Sequence, residues 1–122
     1  MARYDVTVRV HTGWPVSASG HFEMRRVGRS LPGPVRLRKI LIYVEGYTEI
    51  VLRTRGLPAR MAIHQARLTT PMLGLRRDRI RRIEVHRAHV LRSRRTLLAS
   101  WLPHAATTTP APGPGGTRAT AA

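Results

Sequence analysis

The sequence predicts a small α+β domain: an N-terminal antiparallel or mixed sheet, a C-terminal basic amphipathic helix and a disordered tail. Residues 4–10 alternate apolar and polar side chains, residues 35–44 form a β-rich apolar run, and residues 79–102 space apolar side chains as a helix does. The 122 residues allow one domain, and Leu, Ile, Val and Phe make up about 24% of them, above the roughly 20% typical of disordered chains. We therefore expect one small basic domain over residues 1–102 and a tail over residues 103–122.

The N-terminal half of the chain contains the clearest strand signals. Residues 4–10 place valine at every second position from Val6, which defines the buried face of a first strand. A second strand is predicted over residues 21–27, and a loop rich in Pro and Gly follows it. The run over residues 35–44 ends in five consecutive apolar residues, a pattern typical of a strand that is buried on both faces.

Two interpretations fit the residues that follow this run. Gly46 closes a hairpin whose return strand covers residues 48–54, or Thr48 caps a short helix. Residues 57–68 then carry large side chains at helical spacing, and Pro58 stands where the first turn of a helix tolerates proline. A helix is therefore expected there.

The longest helix is predicted over residues 79–102. Its apolar side chains fall within an arc of about 140° on a helical projection. They are Ile80, Ile83, Val90, Leu91, Leu97, Leu98, Trp101 and Leu102. Arg87 and Arg94 interrupt this apolar stripe, which suggests a helix that is bent, exposed at its end or completed by a protein partner. A strand over residues 82–91 is the alternative, because apolar side chains also alternate there.

The tail differs in kind from the rest of the chain. Residues 105–122 consist of Ala, Thr, Pro and Gly with a single arginine. Such a segment buries too little apolar surface to offset its ordering entropy, so we expect it to be disordered.

Charge gives the main indication of function. The chain has 22 basic and 6 acidic residues, a formal net charge of +16, and all the basic residues except Lys39 are arginine. Guanidinium groups bind phosphate in bidentate geometry. GC-rich coding also favours arginine over lysine, so the scarcity of acids is the stronger indication. Residues 76–102 hold nine arginines against Asp78 and Glu84, the densest excess in the chain.

This distribution predicts a nucleic-acid-binding protein that contacts the phosphate backbone of DNA or RNA without reading the base sequence. The expected contacts lie on the predicted helix and directly before it, and they are Arg76, Arg77, Arg79, Arg81, Arg82, Arg92 and Arg95. Aromatic residues are 5% of the chain, which argues against a base-stacking platform. A ribosomal, nucleoid, phage or mobile-element setting fits this prediction, and the cytoplasm is the expected location because no apolar signal core follows Met1.

Several classes of site are not expected. The chain has no cysteine, which excludes disulfides and thiolate zinc sites. Its longest strongly apolar run, residues 40–44, is far shorter than the roughly 20 residues of a membrane span. His86 and His89 stand three apart without a third ligand, so no metal site is predicted.

One motif suggests chemistry. Residues 39–49 read Lys-Ile-Leu-Ile-Tyr-Val-Glu-Gly-Tyr-Thr-Glu. An apolar strand that ends in Val44-Glu45-Gly46 and continues into Tyr47-Thr48-Glu49 resembles the first motif of the Toprim domain. That domain occurs in topoisomerases, primases, recombination proteins and overcoming-lysogenization-defect nucleases. The resemblance implies that Glu45 is a general acid or base beside a bound Mg²⁺ in phosphodiester chemistry. Toprim domains also carry a later Asp-x-Asp pair. In this chain only one aspartate, Asp78, follows at a comparable distance.

We expect a binding protein without a cofactor rather than an enzyme. Three alternatives stay open: a reduced, Toprim-like enzyme that uses Mg²⁺, a protein-interaction module, and a weakly selected GC-rich reading frame.

Overall fold

The computed structural model describes residues 3–14, 16–89 and 95–103. Five strands form one antiparallel sheet in the order β2-β3-β1-β4-β5, and two α-helices connect them. The elements are β1 (Arg3–His11), α1 (Ala18–Gly28), β2 (Arg36–Tyr43), β3 (Tyr47–Arg55), α2 (Ala59–Thr69), β4 (Ile80–Arg87) and β5 (Leu97–Trp101). Short 3-10 turns at Thr70–Leu73 and Arg77–Arg79 lead from α2 into β4. The predicted α+β class is confirmed.

The chain order and the sheet order define a recognised topology. Strand β1 pairs with β3 on one side and with β4 on the other, so each helix links two strands that have another strand between them. This is the split βαβ arrangement of ferredoxin-like βαββαβ domains, with β5 added beside β4. It brings residues from distant parts of the chain onto adjacent strands.

The two helices cover the same face of the sheet. Met24 of α1 and Ala62 and Ala66 of α2 belong to one buried cluster with side chains from all four strands of the βαββαβ core. The strand residues in this cluster alternate along β1 and β3, as the valines of residues 4–10 predict. The other set of alternating side chains therefore lies on a face that no described helix covers.

The predicted helix over residues 79–102, with its apolar stripe, is wrong for the described residues of this range, and residues 90–94, including Val90 and Leu91, lie outside them. The described part of this range forms two antiparallel strands, β4 and β5. The alternative strand over residues 82–91 is confirmed as far as Arg87. A bulge explains the error: Val10 pairs with Ile80 but Arg9 pairs with Arg82, so Ile80 and Ile83 reach one face of a strand at a spacing of three.

The predicted strand over residues 21–27 is also wrong, because these residues belong to α1. The Ser17 side chain caps this helix by accepting a hydrogen bond from the Gly20 amide at 3.1 Å. Met24 and Gly28, four apart, then bury one side of the helix. A Cβ atom at Gly28 would lie 2.4 Å from Leu37 Cδ2, so glycine permits the close approach of α1 to β2.

Three other predictions have clear outcomes. The hairpin closed by Gly46 is confirmed, with β3 as its return strand, and α2 confirms the helix over residues 57–68. The strand over residues 35–44 is confirmed as β2, but it is an edge strand and is not buried on both faces. Leu41 and Ile42 are accordingly 38% and 37% exposed.

The predicted tail lies outside the described residues, apart from Pro103. Among the helices that are described, none has the length and apolar character that crossing a membrane requires.

Candidate nucleic-acid interface

The uncovered face of the sheet carries most of its polar side chains. Cross-strand partners share a face, so the pairings of β1 with β3 and β4, and of β2 with β3, assign these positions. We call this surface the open face. Its basic residues are Arg3, Arg9, Arg36, Lys39, Arg53, Arg55 and Arg82. Its acidic residues are Asp5, Glu49 and Glu84, so the basic residues outnumber the acidic ones.

Glu49 offsets part of the positive charge of the arginines at the centre of the open face. Its side chain is 12% exposed and lies 3.8 Å from Arg9 Nε and 3.6 Å from Arg82 Nη2. The Tyr43 hydroxyl donates a hydrogen bond to the same carboxylate at 3.1 Å. Burial raises the pKa of Tyr43, and the neighbouring Glu49 charge raises that pKa further. These contacts position Arg9 and Arg82 and offset part of their positive charge.

Two more carboxylates act in the same way. Asp5 accepts hydrogen bonds from Arg53 Nε at 2.9 Å and from Nη2 at 3.4 Å. Glu84 lies 3.8 Å from Arg82 Nε and 3.9 Å from His86 Nε2. All three acids of the open face are therefore engaged with basic side chains, and the arginines that they contact are fixed by the fold.

At one end of the open face the arginines outnumber these acids. A groove of about 330 Å³ opens where β1 and β2 begin and β3 ends. Five guanidinium-bearing residues line it together with Gly33, Pro34 and Thr54: Arg3, Arg36, Arg38, Arg53 and Arg55. We call this site the arginine groove.

Two residues of the arginine groove are anchored and three are available. Arg53 is held by Asp5, and Arg36 donates from Nη1 to the carbonyls of Val35 at 2.8 Å and Gly33 at 3.3 Å. In the described part of the chain, no carboxylate oxygen lies within 4.0 Å of the other three guanidinium groups. Those three belong to Arg3, Arg38 and Arg55.

The strand register places arginines of the groove directly opposite each other, which lowers the stability of the sheet. Arg3 is the cross-strand partner of Arg55, and Arg36 is the partner of Arg53. Like charges directly opposite each other destabilise a sheet. The Arg36–Arg53 pair has Asp5 beside it, whereas the Arg3–Arg55 pair has no described carboxylate within ion-pair distance. An anion bound in the groove would relieve this repulsion.

The basic surface continues from the groove along the edge strand. A bulge between Leu37 and Lys39 sets Arg38 out of register on β2. Arg38 and Lys39 also line a smaller groove of about 160 Å³ beside α1, together with Arg25 and Arg29. The basic edge therefore joins the open face to the first helix.

The residues predicted as phosphate contacts do not form one helix face. Arg76, Arg77 and Arg79 lie on the exposed segment before β4, and Arg81 and Arg82 lie at the start of that strand. Arg82 is engaged by Glu49 and Glu84, and Arg76 makes a bidentate pair with Asp78 at 3.0 and 2.7 Å. Arg95 lies over the open face, where it lines a groove with Asp5 and Val51, and Arg92 lies outside the described residues.

Sequence reasoning missed the arginine groove because its members are far apart in the chain. A weak signal was present: arginines stand two apart at Arg36 and Arg38, at the start of one strand, and at Arg53 and Arg55, at the end of the next. Alternate positions of a strand share a face, so the second pair places two charges side by side at the end of a hairpin.

Glu45, the residue singled out by the Toprim resemblance, is exposed in the turn of the β2–β3 hairpin. The strand after this turn runs antiparallel to the strand before it. Within the described residues, no group of three His, Asp or Glu side chains is placed to hold a metal ion. The structure does not test the proposed role of Glu45, which stays a prediction.

Comparison with models of known protein families, with curated proteins and with solved structures finds no significant match to this chain.

Proposed function

We propose that this protein binds nucleic acid through the phosphate backbone, with the arginine groove as its main contact surface, and that it does so without reading the base sequence. The observation that carries the proposal is the Arg3–Arg55 cross-strand pair beside Arg38, three guanidinium groups with no described carboxylate in reach. A sheet that tolerates this repulsion gains stability when an anion occupies the site.

The chemistry of the groove favours phosphate as that anion. A guanidinium group presents paired N–H donors that match two phosphate oxygens, and five such groups surround a single opening. Arg36 and Arg53 are fixed by hydrogen bonds, so they provide positioned charge at little further entropic cost. The basic edge that continues to Arg38 and Lys39 suits a ligand with phosphates in series rather than a single ion.

The residue composition argues against base readout. Asparagine and glutamine are the side chains that pair bidentately with adenine. The chain has no asparagine, and its one glutamine, Gln65, is on α2, the helix that covers the opposite face of the sheet. Arginine can read guanine, but the groove arginines are spread over the ends of three strands and do not lie along one element that enters a DNA groove.

Fluorescence anisotropy with a labelled DNA duplex and a labelled RNA hairpin tests the proposal. If the groove and its edge neutralise five or six phosphates, the logarithm of affinity falls with the logarithm of salt concentration at a slope of about −4 to −6. The Arg38→Gln/Arg55→Gln double variant should bind both ligands less tightly. The magnitude of its salt slope should fall by about 2.

The matched control is Arg26→Gln/Arg60→Gln. These arginines are exposed on α1 and α2, away from the open face, and their replacement changes the net charge by the same amount. We expect the control to bind much more tightly than the groove variant. Absence of binding at about 50 mM salt, or equal losses in the two double variants, would rule the proposal out.

A further inference from the structure

A second exposed site lies at the other end of the sheet, beyond the end of β1. Trp14 is 82% exposed, although tryptophan is a residue that proteins usually bury in large part. It lines a groove of about 430 Å³ together with His11, Gly74, Arg76 and Arg79. We call this site the Trp14 groove. Its volume is within the range of about 300–1,000 Å³ that small-ligand sites occupy.

The backbone that carries Trp14 is held firmly although its side chain is exposed. The amides of Thr12 and Gly13 donate to the carbonyl of Gly46 at 2.8 and 3.0 Å, which ties this loop to the β2–β3 turn. The Thr12 hydroxyl donates to the Trp14 carbonyl at 2.9 Å. Gly46 has a φ of 99°, and a Cβ atom there would lie 3.2 Å from the Gly13 carbonyl oxygen. An exposed indole on an anchored loop is a preorganised contact surface.

The opposite side of the groove supplies positive charge. Arg76 is paired with Asp78, which fixes its position. Arg79 is exposed, and no carboxylate oxygen of the described residues lies within 4.0 Å of its side chain. The groove therefore combines a flat aromatic surface with one available guanidinium group.

The aromatic character continues from the groove onto the open face. The ring of His11 lies 5.3 Å from the ring of Tyr47, at an interplanar angle of 59°. Arg9 lies over the Tyr47 ring at 4.4 Å and over the Tyr43 ring at 5.7 Å. Although the chain has few aromatic residues, the fold places these between the Trp14 groove and the centre of the open face.

We infer that the Trp14 groove binds an unpaired nucleotide of single-stranded nucleic acid, whose base stacks on the Trp14 indole and whose phosphate contacts Arg79. The inference rests on the proposed function and adds a preference for single strands. A base in a duplex is already stacked and paired, whereas an unpaired base presents its ring face to an aromatic side chain. Stacking tolerates any base, which agrees with binding that does not read sequence.

The emission of Trp14 reports on this contact directly. The chain has two tryptophans, and Trp101 is half-buried on β5 with the Arg67 guanidinium 4.8 Å above its ring. In a Trp101→Phe variant, Trp14 is the sole tryptophan. Saturation with oligo(dT) of about 12 nucleotides should quench its emission, and a duplex of the same length should leave it nearly unchanged. If Trp101→Phe does not fold, the difference in emission between the wild type and Trp14→Phe gives the same information.

Affinity provides the second readout. Trp14→Ala should weaken binding of oligo(dT) about tenfold and leave duplex binding within about twofold, because only the single strand offers a base for stacking. Trp14→Phe, which keeps an aromatic ring, should retain most of the affinity. Arg79→Gln should weaken single-strand binding and lower the magnitude of its salt slope by about 1.

The outcomes separate the inference from the proposed function. Anisotropy changes with oligo(dT) that are not accompanied by quenching of Trp14 would overturn the inference alone. Equal losses for single strand and duplex in Trp14→Ala would do the same. If neither ligand changes the anisotropy at low salt, the proposed function fails and the inference fails with it.

Discussion

Three arginine–arginine cross-strand pairs lie on the open face, and they differ in the carboxylates around them. At the centre, Arg9 faces Arg82, with Glu49 within 3.8 Å of both. At the rim, Arg3 faces Arg55, and no described carboxylate lies within ion-pair distance of either. The Arg36–Arg53 pair is intermediate, because Asp5 holds one of its two members.

This difference shows how one residue type takes two roles in the same sheet. A guanidinium group with a half-buried carboxylate beside it contributes to the fold, and the carboxylate offsets part of the charge that it presents to a ligand. A guanidinium group without one adds repulsion to the fold and keeps its capacity to bind an anion. We therefore expect the position of the few acids, more than the number of arginines, to decide where a polyanion would bind.

Removing the Glu49 carboxylate should make the central Arg9–Arg82 pair more like the rim pair Arg3–Arg55, which has no described carboxylate within ion-pair distance. We expect Glu49→Gln to lower the free energy of unfolding by about 1–3 kcal/mol, because two arginines and the Tyr43 hydroxyl lose a charged partner. The same variant should bind nucleic acid more tightly at low salt, since Arg9 loses its described carboxylate partner and Arg82 keeps only Glu84. Urea denaturation and anisotropy measure the two effects.

Glu45→Gln is the control for this variant. It removes the same charge from an exposed position in the β2–β3 turn, so its stability should change by less than about 0.5 kcal/mol. If both glutamate variants lose the same stability, Glu49 does not organise the centre of the open face. Mg²⁺-dependent cleavage of nucleic acid that Glu45→Gln abolishes would instead support the Toprim resemblance.

The hydrogen bond from Tyr43 to Glu49 gives a second test of the contacts at the centre of the open face. Tyr43→Phe removes a hydrogen bond to a charged acceptor and should cost about 1 kcal/mol of unfolding free energy near neutral pH. The raised pKa of Tyr43 means that the folded protein resists ionisation of this phenol. Its contribution is therefore fully present below the ordinary tyrosine pKa of about 10 and is lost as the pH rises through the higher folded value. Ultraviolet titration of both proteins should show a high-pKa tyrosine in the wild type that Tyr43→Phe removes.

Much of the fold could be predicted from local pattern. The alternation in β1, the turn glycine of the β2–β3 hairpin and the spacing of α2 each depend on neighbours in the sequence. For β4 the local pattern favoured a helix over the alternative strand, because the bulge at Arg81 gives β4 the spacing of three that a helix also has. In β2 the bulge at Arg38 has the same effect on Leu37 and Ile40.

The sequence predicts the kind of ligand, which stays a prediction, but it does not show where the arginine groove lies. Charge composition indicates a polyanionic ligand, but it does not show which arginines are neutralised. That depends on pairings such as Asp5 with Arg53 and Glu49 with Arg82, which join residues far apart in the chain. In residues 76–102, where arginine is densest, the acids engage Arg76 and Arg82, and the other predicted contacts in this range stay predictions.

Arg53 and Arg55 give the finest test, because they lie two apart on one strand and on the same face. Arg53→Gln should cost about 1 kcal/mol of unfolding free energy, since it leaves the half-buried Asp5 without its partner. Arg55→Gln should change stability by less than about 0.5 kcal/mol, or raise it slightly, because it relieves the repulsion with Arg3. Arg55→Gln should nevertheless weaken binding to nucleic acid and reduce the magnitude of the salt slope by about 1. Denaturation and anisotropy on the two variants measure both quantities, and equal losses of stability would show that the carboxylates do not divide the arginines in this way.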